Sequence, residues 1–493
     1  MARWKTTKLA NTNLPANETL TWKIKFISPL FGGGVKTKET EDTEDKRHPM
    51  DEITPVRVSS IRGQLRFWWR AAIGSGMGNL ENMRKREAYL FGDTKHRAAV
   101  EISLTAVDQI LREQIEEEIF TWNSNGKNTY PKQSGYGYAC FSLNKTSRDE
   151  IQNNTTLGKI FDVKNRTFTL QIKINSWLEK DKKNDEEENQ NEQILQQKKA
   201  KDKKEILLTV RSWLAFGGLG GRTRRGFGAL VELDQNGNEK TPNIESLLNE
   251  ITQNTQNVTY VHGVPSIIGL SEKNHDYGII RCTHEQLLKK FQSFRQGNIG
   301  RNPNSAYATN HPGQSYWPEA DAIRIWKKQY LKEKDEIGRE HNHNPGKHLS
   351  ETLNGAPGGK MPRGLFGMPL GFKFKDGGPN RNKDPQKTML YPKYKGTVCD
   401  RLASPLILKP ICDNQCVALI LKDPSRNEIR GQLQNDEPND KTMVDGADEI
   451  VLTLQDGEKN WAHSPLTNAQ GDASLKTLFL KLLINNEQNN QQN

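Results

Sequence analysis

Cysteine is scarce in this 493-residue sequence: Cys140, Cys282, Cys399, Cys412 and Cys416 are odd in number and scattered. Such spacing builds no disulfide framework, and the expectation is a reducing, cytoplasmic compartment. Long apolar runs are missing too. No eighteen consecutive apolar residues occur, and the opening MARWKTTKLANTNLP has no apolar segment of a secretory signal, so no membrane partner is expected. The hydrophobic fraction is low at 33%, yet a chain this long still buries real cores. Acidic residues are the minority charge, 60 Asp+Glu against 71 Lys+Arg, and the resulting +11 only mildly favours an anionic partner.

What is present reads as alternating strands and helices. In TLTWKIKFISP, Leu20, Trp22, Ile24 and Phe26 alternate with polar residues, as a half-buried strand requires. SSIRGQLRFWWRAAIG places Ile61, Leu65, Trp68, Trp69 and Ala72 on one helical face, with Ser59 or Ser60 as the cap. A helix (ENMRKREAYLFGD), two strands (VEISLTAV, RTFTLQIKI), a helix (EILLTVRSWLAFGG) and a strand (GALVEL) follow. That order fits a split βαβ unit. Residues 179–205 are almost wholly polar and read as a solvated helix or a disordered insertion, not as core, so that deleting 181–204 should leave the fold nearly unchanged. A polar stretch near 235–257 reads as a separator between halves. The second half offers helices in EQLLKKFQSF, DAIRIWKKQY and ASLKTLFLKLL, and strands in GLFGMPLGFKF, SPLILKP and CVALILK. The fold class is α+β.

Two segments lack acidic residues altogether. GGLGGRTRRGFG (217–228) holds six glycines and three arginines, and no Asp or Glu lies between Ile206 and Val231. A glycine-rich turn points successive amides into one concavity, and arginines add bidentate partners for phosphate. The loop lacks the Lys-Ser/Thr of a P-loop and follows a helix where a dinucleotide fingerprint follows a strand. It therefore points to a polymer backbone rather than ATP or NAD; the alternative is a flexible hairpin with solvated arginines. The second segment, from Ile53 to Leu80, carries Arg62, Arg66 and Arg70 at intervals of four, one basic stripe beside the apolar helix face.

Other candidates are weaker. Cys412 and Cys416, or His341, His343 and His348, would offer zinc ligands, against the plainer reading as loop and strand residues. Glu39, Asp42, Glu44 and Asp45 would suit a divalent ion, although such runs are usually just solvated. His48 and His96 are possible acid–base groups without a nucleophile beside them.

SPLFGGG, SSIRGQLRFWWRA and GGLGGRTRRGFG together resemble the RAMP superfamily of CRISPR RNA-binding proteins. FRQGNIGRNPN, GQSYWPEADAIR, MPRGLFGMPLGFKFK and RLASPLILKP are similar to the Cmr subunit one family of type III-B effector complexes. The resemblance runs from about residue 20 to 410, with nothing matched between 110 and 205. It implies two tandem ferredoxin-like (RRM-like) domains, 1–255 and 256–493, and a non-catalytic subunit near the 3′ end of the guide RNA that helps receive target RNA. Its partners would be guide RNA, target RNA and other Cmr-complex subunits; no cofactor or metal is implied. The matching residues are Arg57, Ser60, Arg62, Gly63, Arg66 and Arg70; Gly217, Gly218, Gly220, Gly221, Arg222, Arg224, Arg225, Gly226 and Gly228; and Arg295, Gln296, Arg301, Trp317, Asp321, Arg324 and Arg363. Trp317 is a candidate for base stacking, whereas Trp68 and Trp69 belong to the core. The competing reading is a guide-maturing RAMP endoribonuclease with His48 as its base.

Overall fold

The period-two alternation of the first strand becomes, in a computed structural model, β1 (Glu18–Phe26) with Trp22, Ile24 and Phe26 buried. The structure describes residues 18–31, 56–108, 120–122, 129–131, 135–139, 160–161, 163–176, 188–255, 259–296, 319–327, 360–372, 385–436, 439–444, 450–452 and 475–485. After β1 come α1 (Val58–Ala72), α2 (Leu80–Phe91), β2 (Val100–Thr105), β3 (Thr167–Ile174), α3 (Glu188–Phe216), β4 (Leu230–Leu233) and β5 (Glu239–Lys240). The sheet order is β2-β3-β1-β4-β5, every neighbouring pair antiparallel. Trp22 faces Leu170 and Ile24 faces Phe168, so the inward sets of β1 and β3 lie side by side. With β1 between β3 and β4, the connectivity is that of a split βαβ unit. Helices α1 and α3 pack together through Trp68 and Phe216, ring centroids 5.7 Å apart.

Three local expectations change. Helix α1 begins at Val58, and Arg57 occupies its N-cap without a side-chain cap bond, so neither Ser59 nor Ser60 caps it. Residues 188–205 are the first part of α3. Their polarity does not make them dispensable, because Asp202 and Glu205 are buried. Arg86 of α2 reaches Asp202 Oδ1 at 2.5 Å and Glu205 Oε1 at 2.9 Å. Tyr89 Oη and Ser176 Oγ donate to Asp202 Oδ2 at 2.9 and 2.6 Å, and Trp69 Nε1 donates to Glu205 Oε2 at 2.9 Å. The cluster fastens the polar part of α3 to α2 and to the end of β3. Third, the stretch near 235–257 contains α4 (Ile244–Asn254), with the Asn243 side chain accepting from the Ser246 amide at 2.9 Å. Ile244, Leu247, Leu248 and Ile251 are buried in the first core, as are Val261, Ile267, Ile268 and Leu270, so this core continues past residue 255.

The second half comprises β6 (Tyr277–Ile280), α5 (His284–Gln296), α6 (Glu319–Trp326), β7 (Leu370–Phe372), β8 (Thr388–Tyr394), β9 (Thr397–Val398), β10 (Leu406–Cys412), β11 (Gln415–Ile420), β12 (Ile429–Asn435) and α7 (Leu475–Asn485). The strand expected at GLFGMPLGFKF is instead a 3-10 turn, Pro362–Phe366, followed by the short β7. Strand β8 pairs with β7, β9 and β12 in one sheet, and β6-β11-β10 form another. A fourth strand that would complete a second split βαβ unit is not among the described residues.

Strands β10 and β11 are buried on both faces, which explains their unbroken apolar runs. Leu406, Leu408, Cys416, Ala418 and Ile420 face the second core, while Ile407, Ile411, Val417 and Leu419 join the first. The two halves therefore share a wall. Into that wall β10 sends Lys409, fully buried, whose Nζ donates to the carbonyls of Leu214 and Leu230. Burial lowers its pKa to about 7.

Candidate nucleic-acid interface

Helix α3 ends at Phe216, and the glycine–arginine loop that follows is stitched to the segment after β1. The amides of Gly221 and Gly228 donate to the carbonyls of Phe31 and Pro29 at 2.5 and 2.7 Å, and Leu219 N donates to Gly228 O at 3.0 Å. Gly228 has φ 61°, and a Cβ there would lie 2.0 Å from the Leu219 carbonyl oxygen. Gly226, at φ 79°, presses against the second half, where a Cβ would come within 2.6 Å of His284 Nε2. Gly217 and Gly218 are equally crowded, by the Trp68 and Trp213 side chains and by the Gly228 carbonyl. Four of the six glycines thus permit close protein packing, a demand invisible in the sequence. Gly220, Gly221 and Arg222–Arg225 form a half-buried outer arc.

The three loop arginines are placed, not loose. Arg222 lies 4.9 Å from the Phe31 ring centre and Arg225 5.8 Å from that of Phe291, and both donate to the Ala139 carbonyl. Arg224 lies 5.6 Å from the Phe67 ring centre and donates to the Ser404 carbonyl. Ring faces and carbonyls hold guanidiniums without neutralising them. Phe67 belongs to α1, between Arg66 and Trp68. The two acid-free clusters of the sequence are thereby brought together on one surface.

The stripe on α1 is acid-free along the chain but not in space. Glu87 of α2 takes a two-pronged bond from Arg70, at 2.6 and 2.5 Å, and lies 3.1 Å from Arg66 Nε. The hydrogen bond to Glu87 raises the Arg70 pKa. Arg66 also donates to the Gly92 carbonyl. One carboxylate serves two arginines, so positive charge remains, and half-buried Arg62 has no ion partner among the described residues. Next to it, Gly63 is exposed in the helix interior with nothing within 4 Å of where its Cβ would stand. No packing within the described protein requires a glycine there.

In the second half, Arg295 Nη1 donates to the Arg363 carbonyl at 3.1 Å and Arg363 Nη1 donates back to the Arg295 carbonyl at 2.9 Å. Buried Glu319 lies 3.1 Å from Arg363 Nε and accepts from the Arg363 amide at 3.0 Å. Phe291, under Arg225, stands one turn before Arg295 on α5, which joins this group to the loop. Gln296, Asp321 and Arg324 lie on described helices. Arg301, Trp317, His48, the 39–45 acidic run and His341, His343 and His348 lie outside the described residues.

Sequence reasoning passed over His284. It is buried beneath the loop, where Nε2 donates to the Arg225 carbonyl at 2.6 Å, and burial lowers its pKa to about 4. Tyr136 and Phe227 pack edge-on against its ring. No local pattern flags it; only the fold puts the first residue of α5 there. His96, the exposed candidate, pairs with Asp93 at 2.8 Å. Cys412 and Cys416 flank the β10–β11 turn, and no group of three metal-ligating side chains occurs among the described residues. Nor, among them, is any helix long and apolar enough to cross a membrane.

Residues 23–231 match the RAMP superfamily. Over 94 residues the chain is 33% identical to the CRISPR system Cmr subunit Cmr1-1 of Pyrococcus furiosus, a stretch covering 19% of this chain and 24% of that protein. The crystal structure of apo Cmr1 from Pyrococcus furiosus is similar at 14% identity, covering 82% of this chain and 88% of that one, with a TM-score of 0.37. A chain of the type III-B Cmr-beta cryo-EM structure bound to cognate target RNA is similar at 14% identity, covering 82% and 94%, with a TM-score of 0.39. Structural likeness at that level carries no argument about the site.

Proposed function

We propose that this chain, whose residues 23–231 form a RAMP-superfamily domain, is the Cmr1-like RNA-binding subunit of a type III-B CRISPR effector complex. It acts without catalysis near the guide 3′ end and helps receive target RNA, with guide RNA, target RNA and other Cmr subunits as its partners. The observation that carries the reading is the joining of the loop to the α1 stripe through Arg224 and Phe67. That surface gathers arginines of helix and loop, and cations so gathered can neutralise a single-stranded phosphate backbone. Arg57, Ser60, Arg62, Arg66 and Arg70 supply its helix side. Gly220, Gly221, Arg222, Arg224 and Arg225 supply the loop side, and Arg295, Gln296, Arg301, Trp317, Arg324 and Arg363 continue it in the second half. Tandem ferredoxin-like domains remain our reading of the architecture, with β6-β11-β10 as the core of the second.

A guide-maturing endonuclease needs a base beside a bound 2′-OH. His284 lies beneath the loop with Nε2 bonded to a backbone carbonyl, while His96 is paired with Asp93 and His262 with Glu428. Incubating the purified chain with repeat RNA in EDTA decides between the two. Retention of intact RNA is expected; site-specific cutting that His48→Ala abolishes would install the endonuclease reading.

A further inference from the structure

At the seam between the loop and the second half, Arg224 and Arg426 donate to consecutive carbonyls, those of Ser404 and Ala403. The two guanidiniums thus hang on one short stretch of chain, near enough for Arg224 to repel Arg426. Arg426 is only 6% exposed, and its Nε and Nη1 are buried without a hydrogen-bond acceptor. A single carboxylate stands by: Asp423 Oδ2 lies 3.5 Å from Arg426 Nε, while Oδ1 already accepts from the Ser425 amide and hydroxyl at 3.2 and 2.5 Å. Arg401 adds charge from the segment before β10, and Lys476 from the first turn of α7. Burial, then repulsion from Arg401, lowers the Arg224 pKa. Burial, then repulsion from Arg426, lowers that of Lys476 to about 8. Arg401 thus acts on Arg224, and Lys476 and Arg224 on Arg426, with Asp423 as the acid that faces Arg426.

We propose that Arg224, Arg401, Arg426 and Lys476 form a subsite for one phosphate group of a single-stranded RNA. The inference rests on the RNA-binding reading and deepens it, because RNA held here touches both halves. A phosphate oxyanion would supply the acceptor that Arg426 Nη1 lacks, while Asp423 faces Nε and Nη2 holds the Ala403 carbonyl. It relieves the repulsion that Asp423 alone leaves uncompensated. Continuity favours RNA over a free anion: Arg224 belongs at once to this cluster and, through Phe67, to the α1 surface.

The test uses the full chain and three variants, Arg401→Ala, Lys476→Met and Arg426→Gln, with circular dichroism to confirm folding. Single-stranded RNA is titrated at several salt concentrations, with Arg62→Ala in parallel. Inorganic phosphate is compared with chloride at equal ionic strength by thermal denaturation. Each folded variant is expected to lose about tenfold in RNA affinity and about 0.7 in the log–log salt slope, and phosphate is expected to stabilise the wild type more than the variants. Should the buried Arg426 variant not fold, Arg401→Ala and Lys476→Met decide. If both bind RNA like the wild type while Arg62→Ala weakens it, the subsite is overturned and the RNA reading stands. If phosphate stabilises the wild type but RNA does not bind, the site takes free phosphate and its assignment to RNA is overturned along with the RNA reading.

Discussion

Gly63 stands exposed in the interior of α1, one residue from Arg62 and on the helix that carries the basic stripe. Glycine in a helix interior costs roughly 0.5–1 kcal/mol relative to alanine. With open space where its Cβ would stand, Gly63→Ala meets no clash, so the full propensity gain is expected. For a domain of 150–250 residues that corresponds to a rise in melting temperature of about 1–4 °C. The same methyl would obstruct a sugar–phosphate backbone drawn up against the helix, and Gly63→Leu would obstruct it more. The expected result is a protein that is more stable and binds single-stranded RNA more weakly, with leucine worse than alanine. Denaturation of the variants, with RNA titration at one salt concentration, gives both readouts. A stabilised Gly63→Leu protein with wild-type RNA affinity would refute the idea that this glycine exists for an approaching ligand.

Removing the Asp202 carboxylate by Asp202→Ala strands Arg86 beside a half-emptied buried cluster, and a loss of about 3–5 kcal/mol in unfolding free energy is expected; urea denaturation measures it, and a loss below 1 kcal/mol would mean the cluster is not structural. His284 supplies a pH dependence. Its folded pKa of about 4 lies below the ordinary 6.5, so between those values the unfolded chain binds a proton that the folded chain lacks. Stability should therefore rise with pH from about 4 to 6.5, by on the order of 3 kcal/mol from this group. Arg225 and Tyr136, packed against the ring, add no acid to offset it. His284→Gln should flatten that part of the profile, and an unchanged slope would contradict the assignment.

The elements with clean periodicity were legible in the sequence. Trp22, Ile24 and Phe26, the α1 face with Trp68 and Trp69, and the alternate residues Phe168, Leu170, Ile172 and Ile174 are buried as their spacing requires. What escaped depended on partners distant in the chain. Residues 188–205 look solvated because their acids are counted as exposed; Arg86, more than a hundred positions away, makes Asp202 and Glu205 interior groups. The same blindness hid Glu87 beneath Arg66 and Arg70. The loop glycines looked like a phosphate cradle, yet Gly226 and Gly228 answer to the second half and to the Leu219 carbonyl. Arg426 and Lys476 carry no motif, and only the fold draws Arg426 to Arg224 and Lys476 to Arg426.

Equilibrium binding of the purified full chain to a single-stranded RNA of mixed sequence, repeated from low to high salt, addresses the central claim directly. Each phosphate neutralised adds about 0.7 to the negative slope of log affinity against log salt. The α1–loop surface predicts measurable affinity with little sequence preference and a slope of about 2 or more, reduced by about 0.7 in Arg62→Ala. Affinity that is absent, or that does not change with salt, would contradict the assignment of this surface to RNA.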